Sequence, residues 1–288
     1  MGPSAPAQFF HTTAFIMSIT DRPAFHFHQG TEPLLLSMPH SGTYIPPGIA
    51  AHLSENARHV PDTDWHLERL YEFARQLGAS ILVATHSRYV IDLNRPPDGA
   101  SLYPGQATTG LCPTSTFDAT AVYRSKADEP GDAEIAERRE TVWCPYHAKL
   151  EQELKRIRAE HGVAGLWDAH SIRSVLPQFF EGKLPDLNFG TNRGATCDAA
   201  LTQALTAVAG EASGYTWVLN GRYTGGYITR HYGRPLDGVH AVQLEMCQST
   251  YMQETPPFDY LPHMAAGIQP HLQRMLQAML HFLRSKAI

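Results

Sequence analysis

The chain has 288 residues, 43% of them apolar and 18% charged, with a net charge of -5 at pH 7. That is the balance of an ordinary globular protein long enough to bury a sizeable core. It excludes a basic field for nucleic acid and a polybasic patch for a membrane surface. No apolar run reaches the length needed to cross a bilayer. Cys112, Cys144, Cys197 and Cys247 are too scattered for a cysteine metal site or a disulfide framework. Reduced thiols of a cytoplasmic protein are the expectation. Sixteen histidines add weight to metal or proton chemistry.

Residues Met1 to Ser18 lack the basic start and long apolar centre of a signal peptide, and Met17 is an alternative initiator. This leaves 1–22 as an N-terminal extension, a candidate for disorder, ahead of one domain over 23–288. Pro33 to Met38 reads as a strand buried on both faces, and it stops at His40-Ser41-Gly42. In parallel sheets ligands bind just beyond the carboxyl ends of strands, where His40 falls. Pro61 to Trp65 predicts an acidic helix start. Leu67, Leu70, Tyr71, Ala74 and Leu77 follow at helical spacing, with Gly78 as the cap. One of Asp62 and Asp64 suffices to cap that helix, which leaves the other free for chemistry.

Ser80 to Ala84 predicts a strand, and Tyr89 to Ile91 a second, short one that leads into Asp92-Leu93-Asn94-Arg95 and a rigid Pro96-Pro97. From Asp98 to about Gly131 the composition predicts an irregular excursion, a candidate pocket wall. Asp132 to His161 predicts a long amphipathic helix interrupted at Pro145 and closed by Gly162. A strand from Val163 then delivers Asp168 and His170. Pro185 to Asn192 reads as a loop, Asp198 to Val208 as a helix, and Thr216 to Leu219 as a strand. The segment Asn220 to Gly233 is dense in glycine, arginine and aromatics. His240 to Glu245 is the last strand, and Ile268, Leu272, Leu276, Met279 and Leu283 mark the packing stripe of a final helix. This alternation predicts an α/β domain with a mixed, largely parallel central sheet flanked by helices.

Three apolar strands thus end at His40, His170 and Glu245. Two imidazoles and one carboxylate make a catalytic zinc site with a position left for water. Asp64 is the preferred carboxylate, with Asp62 and Asp168 as competitors. Asp168, two residues from His170 on one strand, shares its side and suits a partner that orients the ligand. A carboxylate ending an apolar strand, Glu245 is either salt-bridged to an arginine or a general base. Arg95 and Asn94 suit a carboxylate, although an Asp92–Arg95 salt bridge would explain them as well. Arg222 and Arg230 lie where glycines let backbone approach a ligand.

The stretches Pro39-His40-Ser41-Gly42-Thr43, Asp62-Thr63-Asp64-Trp65, Asp92-Leu93-Asn94-Arg95-Pro96, Asp168-Ala169-His170-Ser171, Gly225-Gly226-Tyr227-Ile228-Thr229-Arg230 and Gln243-Leu244-Glu245-Met246 together resemble the N-formylglutamate amidohydrolase family. The likeness runs from about Pro23 to the C-terminus. It implies a zinc-carboxypeptidase and aspartoacylase-like α/β fold with one catalytic Zn2+, although iron or cobalt suits the same ligands. It also implies hydrolysis of N-formyl-L-glutamate, an N-formyl dicarboxylate, to formate and L-glutamate as the last step of one route of histidine breakdown. In that scheme His40, Asp64 and His170 bind the metal and Glu245 moves the proton. Asn94 and Arg95 hold one substrate carboxylate and Arg230 the other. One departure stands out: the carboxypeptidase pattern puts an acidic ligand three residues after the first histidine, where this chain has Thr43. A related amidohydrolase for another N-acyl amino acid and a non-catalytic carboxylate-binding protein are the alternatives. Oligomeric state is not encoded in these motifs.

Overall fold

The computed structural model describes residues 21–102 and 109–287. The expected extension at 1–22 therefore lies almost wholly outside the described residues. Seven strands form one sheet: β1 (Phe25–His28), β2 (Leu34–Met38), β3 (Ser80–Ala84), β4 (Ala164–Ile172), β5 (Leu187–Gly190), β6 (Trp217–Leu219) and β7 (Val239–Cys247). Their order is β1-β3-β2-β4-β7-β5-β6. The central β3, β2, β4 and β7 run parallel, β1 and β5 pair antiparallel to β3 and β7, and β6 is parallel to β5. This is the mixed, largely parallel α/β arrangement that the alternation of apolar runs predicts.

The central strands have no polar face because both faces are covered. On β2, Leu34, Leu36 and Met38 join one core cluster and Leu35 the other; on β3, Ile81 and Val83 divide from Leu82 and Ala84 in the same way. One core is closed by α6 (Ala199–Gly210) and α8 (Pro262–Lys286), whose Ile268, Leu272, Leu276, Met279 and Leu283 are fully buried. The other core is closed by α5 (Cys144–His161) together with α1 (Pro47–Ala50) and α2 (Glu55–Arg58). On β4 and β7, Ala164, Leu166 and Ala241 face this second core, so by the two-residue period Asp168, His170, Gln243 and Glu245 project to the same side. No helix among the described residues is long and apolar enough to cross a membrane.

Several local expectations are corrected. The apolar spacing after Trp65 yields not one helix but a single turn, α3 (Leu67–Leu70), followed by a 3-10 turn at Glu72–Ala74. His66 precedes α3 in the left-handed region at φ 62°, and no side chain caps it. Neither Asp62 nor Asp64 serves as a cap. Tyr89 to Ile91 is a buried turn rather than a strand. Pro185 to Asn192 contains β5, a strand disguised by its Asn188 and Gly190. The long helical stretch is α4 (Asp132–Arg138), a π-helical turn (Arg139–Trp143) and α5, in which Pro145 sits in the first turn. Asn220 to Gly233 holds a short helix, α7 (Tyr227–Tyr232). The excursion after Asp98 is irregular as expected, although residues 103–108 lie outside the described part.

The turn after β2 is held close to the end of β3. A Cβ on Gly42 would lie 2.3 Å from His86 O and 2.5 Å from Thr85 C, both backbone atoms, whereas one on Gly48 meets nothing within 4 Å. Gly42→Ala should therefore lower stability by about 1–3 kcal/mol in urea unfolding. Gly48→Ala, in α1, should be neutral or stabilise by up to about 1 kcal/mol. Equal effects from the two substitutions would contradict this packing.

Candidate active site

His40 follows the end of β2, and His170 lies near the end of β4. Asp64 sits between them on the turn before α3, where its backbone N–H donates to His40 O at 3.0 Å. All three are buried, and one ligand atom from each falls within 4.8 Å of the others. Asp64 Oδ2 is 2.9 Å from His170 Nδ1 and 3.8 Å from His40 Nδ1. The opposite ring nitrogens are occupied from behind. His40 Nε2 meets Asp92 Oδ1 at 2.7 Å, and His170 Nε2 lies 3.3 Å from Asp168 Oδ2 and 2.9 Å from Asn94 Nδ2. Behind His40 the Asp92 carboxylate fixes the ring and raises the basicity of the facing nitrogen, as in metal sites built on histidine.

Of the competing carboxylates, Asp62 is turned away and accepts from Tyr89 Oη at 2.6 Å and Phe117 N at 2.9 Å. Asp168 takes the orienting place behind His170. Thr43 lines a separate surface groove. Of these carboxylates, Asp64 is the one that faces both imidazoles.

Charge at this cluster is set by burial and by Arg88. Burial pushes the Asp92 carboxyl up, but Arg88 at 2.6 Å and then His40 outweigh it and hold it well below the usual carboxylate range. Burial lowers the His40 pKa and the nearby Arg88 lowers it further, against the pull of Asp92 and Asp64. Burial acts in the same direction on His170, but Asp168 and Asp64 together hold it well above the ordinary imidazole value. Glu245, paired in register with His170 across β4 and β7, is driven up to about 8, chiefly by burial.

These groups line one cavity. His40, Asp64, His170, Glu245, Asn94 and Arg95 all reach it. Asn94 is locked between His170 and α7, where its Oδ1 accepts from Ile228 N at 2.8 Å. Gly226 is required for that contact, because a Cβ there would come within 2.3 Å of Asn94 Nδ2. Arg95 is not paired with Asp92; its donors reach Thr109 O at 2.9 Å and Thr109 Oγ1 at 3.1 Å. Glu245 takes no arginine partner among the described residues, and its near neighbour is Gln243 Nε2 at 3.3 Å.

Arg230 is not on the cavity wall. Its guanidinium donates to Gly225 O at 2.8 Å, Thr224 Oγ1 at 3.0 Å and Leu102 O at 3.1 Å, bracing the glycine turn from outside. Arg222, from the same segment, does line the cavity, with Nε donating to Phe179 O at 3.0 Å. Sequence reasoning passed over Arg88, Gln243 and the aromatic wall of Phe117 and Phe179. Only the parity of Gln243 with Glu245 on one strand gave a usable signal.

The model of the N-formylglutamate amidohydrolase family matches residues 32–252. The chain belongs to the N-formylglutamate amidohydrolase family. It is 52% identical over 254 residues to an N-formylglutamate deformylase of Pseudomonas putida, covering 88% of this chain and 94% of that one. A Pseudomonas aeruginosa N-formylglutamate deformylase is 52% identical over 264 residues, 90% of this chain and 97% of its own. Among solved structures, an N-formylglutamate amidohydrolase from Ralstonia eutropha superposes with a TM-score of 0.78 at 25% identity, covering 92% of this chain and 100% of that one. A gene product of Agrobacterium tumefaciens with a TM-score of 0.68 at 19% identity, over 91% of this chain and 97% of its own, shares the fold. Every residue of the cavity that the N-formylglutamate amidohydrolase motifs single out, except Gln243 and Glu245 on β7, comes from a loop or from β4.

The Arg88–Asp92–His40 chain has a measurable consequence. Asp92→Ala would leave the fully buried Arg88 guanidinium without its 2.6 Å partner. Loss of one member of a buried pair costs about 3–5 kcal/mol, to be read by urea unfolding. A loss below about 1 kcal/mol, typical of a surface pair, would show that Asp92 does not hold Arg88.

Proposed function

We propose that the chain hydrolyses N-formyl-L-glutamate to formate and L-glutamate in a reaction that depends on one divalent ion, zinc by the chemistry of its ligands, and that the reaction serves histidine breakdown. The observation that carries the metal dependence is the buried convergence of His40, Asp64 and His170 within 4.8 Å, beside Glu245 in one cavity. Two imidazoles and a carboxylate are a donor set that catalytic zinc uses, and the carboxylates behind both rings keep the facing nitrogens oriented toward it. When bound, such an ion supplies Lewis-acid polarisation of a carbonyl and makes water a better nucleophile near neutral pH.

The chain's own groups do the rest. Glu245 takes a proton from the attacking water as its oxygen bonds to the formyl carbon, and gives that proton to the departing nitrogen as the C–N bond breaks. A carboxyl whose pKa burial has raised to about 8 is suited to hold a proton between those two steps. Arg88, kept charged by Asp92, adds fixed positive charge to the same wall. Asn94 and Arg95 hold one substrate carboxylate, and the planar guanidinium favours paired hydrogen bonds to it. The second carboxylate goes to Arg222, since Arg230 stands outside the cavity lining.

The test is formate release from N-formyl-L-glutamate by metal-stripped protein, with metals added back singly. Zinc or another divalent transition ion should restore turnover at one equivalent, and full turnover by stripped protein would defeat the metal reading. Glu245→Gln should cut kcat by about 100-fold or more with the ion retained. Asp64→Ala should lose the ion by metal analysis. Arg95→Ala should act mainly by raising KM, by about tenfold or more, as expected for a group that binds ground and transition states alike.

A further inference from the structure

The π-helical turn between α4 and α5 is bonded to the loop that carries Asn94 and Arg95, and its position is informative. In an α-helix residues four apart share a face, and residues five apart do not. A π turn bonds i to i+5 and so brings residues five apart into line. Arg139–Trp143 is such a turn, so Arg138 aligns with Trp143, and His147 continues the row four residues later. All three are almost fully enclosed, and all three donate to main-chain carbonyls of the same loop. Arg138 Nη1 reaches Val90 O at 3.0 Å and Tyr89 O at 3.4 Å. His147 Nε2 reaches Leu93 O at 2.8 Å, and Trp143 Nε1 reaches Arg95 O at 3.1 Å. The loop lies outside the sheet, so its buried carbonyls need donors of this kind.

His147 also ties in the opposite wall. A carbonyl only accepts, so Nε2 carries the proton, and Nδ1 accepts from Tyr232 Oη at 3.0 Å. Burial pulls the His147 pKa down to about 3, so the ring stays neutral in this tautomer at ordinary pH. Trp143 stacks on it with ring centroids 3.7 Å apart, and Tyr232 lies nearly coplanar in orientation at 12°. Tyr232 ends α7, and the first turn of α7 receives the Asn94 side chain.

We propose that Arg138, Trp143 and His147, set in one row by the π turn, are positioning residues that fix the main chain of Tyr89–Arg95 and through it the grip of Asn94 and Arg95 on substrate. The proposal rests on the reading that Asn94 and Arg95 hold a substrate carboxylate. Its physical content is that a helix without the extra residue would satisfy the Arg138 end or the Trp143–His147 end of the loop, not both.

The test compares steady-state kinetics of full-length, metal-loaded H147F, H147Q, R95A and a deletion of Glu140, the exposed residue of the π turn, all with N-formyl-L-glutamate. His147→Phe keeps the stacking and removes both nitrogens. It should raise KM about tenfold with a change in kcat of less than about threefold. His147→Gln, which retains a donor for Leu93 O, should recover at least half of that loss on a logarithmic scale. The Glu140 deletion, which restores α-helical spacing, should shift KM in the same direction. If H147F leaves KM within twofold of the parent enzyme while R95A raises it, the row is merely structural and the proposal fails alone. A fall in kcat or in folded protein at unchanged KM has the same meaning. An unchanged KM in R95A as well would remove the substrate-holding role and the proposal together.

Discussion

The site depends on burying several carboxylates next to two imidazoles. Asp64, Asp92 and Asp168 surround His40 and His170, with Glu245 on the neighbouring strand, and all are almost completely withdrawn from solvent. Among the described residues, the one guanidinium bonded into this group is Arg88, through Asp92. Ionised carboxylates in a low-dielectric interior are costly unless paired. Asp168 and Asp64 hold the His170 proton well above its ordinary value, which offsets part of that cost, while burial pushes Glu245 up. A divalent cation at the point where Asp64 faces both rings would offset it more fully.

The sheet makes such a concentration tolerable. Parallel strands buried on both faces place the ends of β2, β4 and β7 at one edge, and the register that sets His170 beside Glu245 also sets Asp168 beside Gln243. Each strand contributes one or two polar side chains to an otherwise apolar layer, on the side closed by α5. The remaining wall is built from loops, so Asn94, Arg95, Phe117 and Arg222 line the cavity without disturbing the sheet.

Much of this was legible in the chain. Period and composition marked the central strands, and the ends of those strands marked His40, His170 and Glu245, because polar groups closing apolar runs are rare. What stayed hidden depended on contacts distant in sequence. Tyr89 to Ile91 has the composition of a strand but finds no strand neighbour, and its carbonyls go to a helix 40 to 50 residues later. β5 is hidden by Asn188, whose side chain bonds to Pro185 O and Glu245 O rather than to solvent. Arg230 and Arg222 are indistinguishable by composition, and only the fold of the glycine turn turns one inward and the other onto backbone. The π turn is not legible because Ile135 and Val142 stand seven residues apart, a spacing that an uninterrupted α-helix also gives.

The most direct measurement of the central claim is anomalous X-ray diffraction at the zinc absorption edge from crystals of the protein supplied with zinc. The account predicts a single strong peak bonded jointly to His40, Asp64 and His170, on the side of the cavity that carries Glu245. A peak held by other residues, or a zinc-replete protein with no peak between those three side chains, would contradict it.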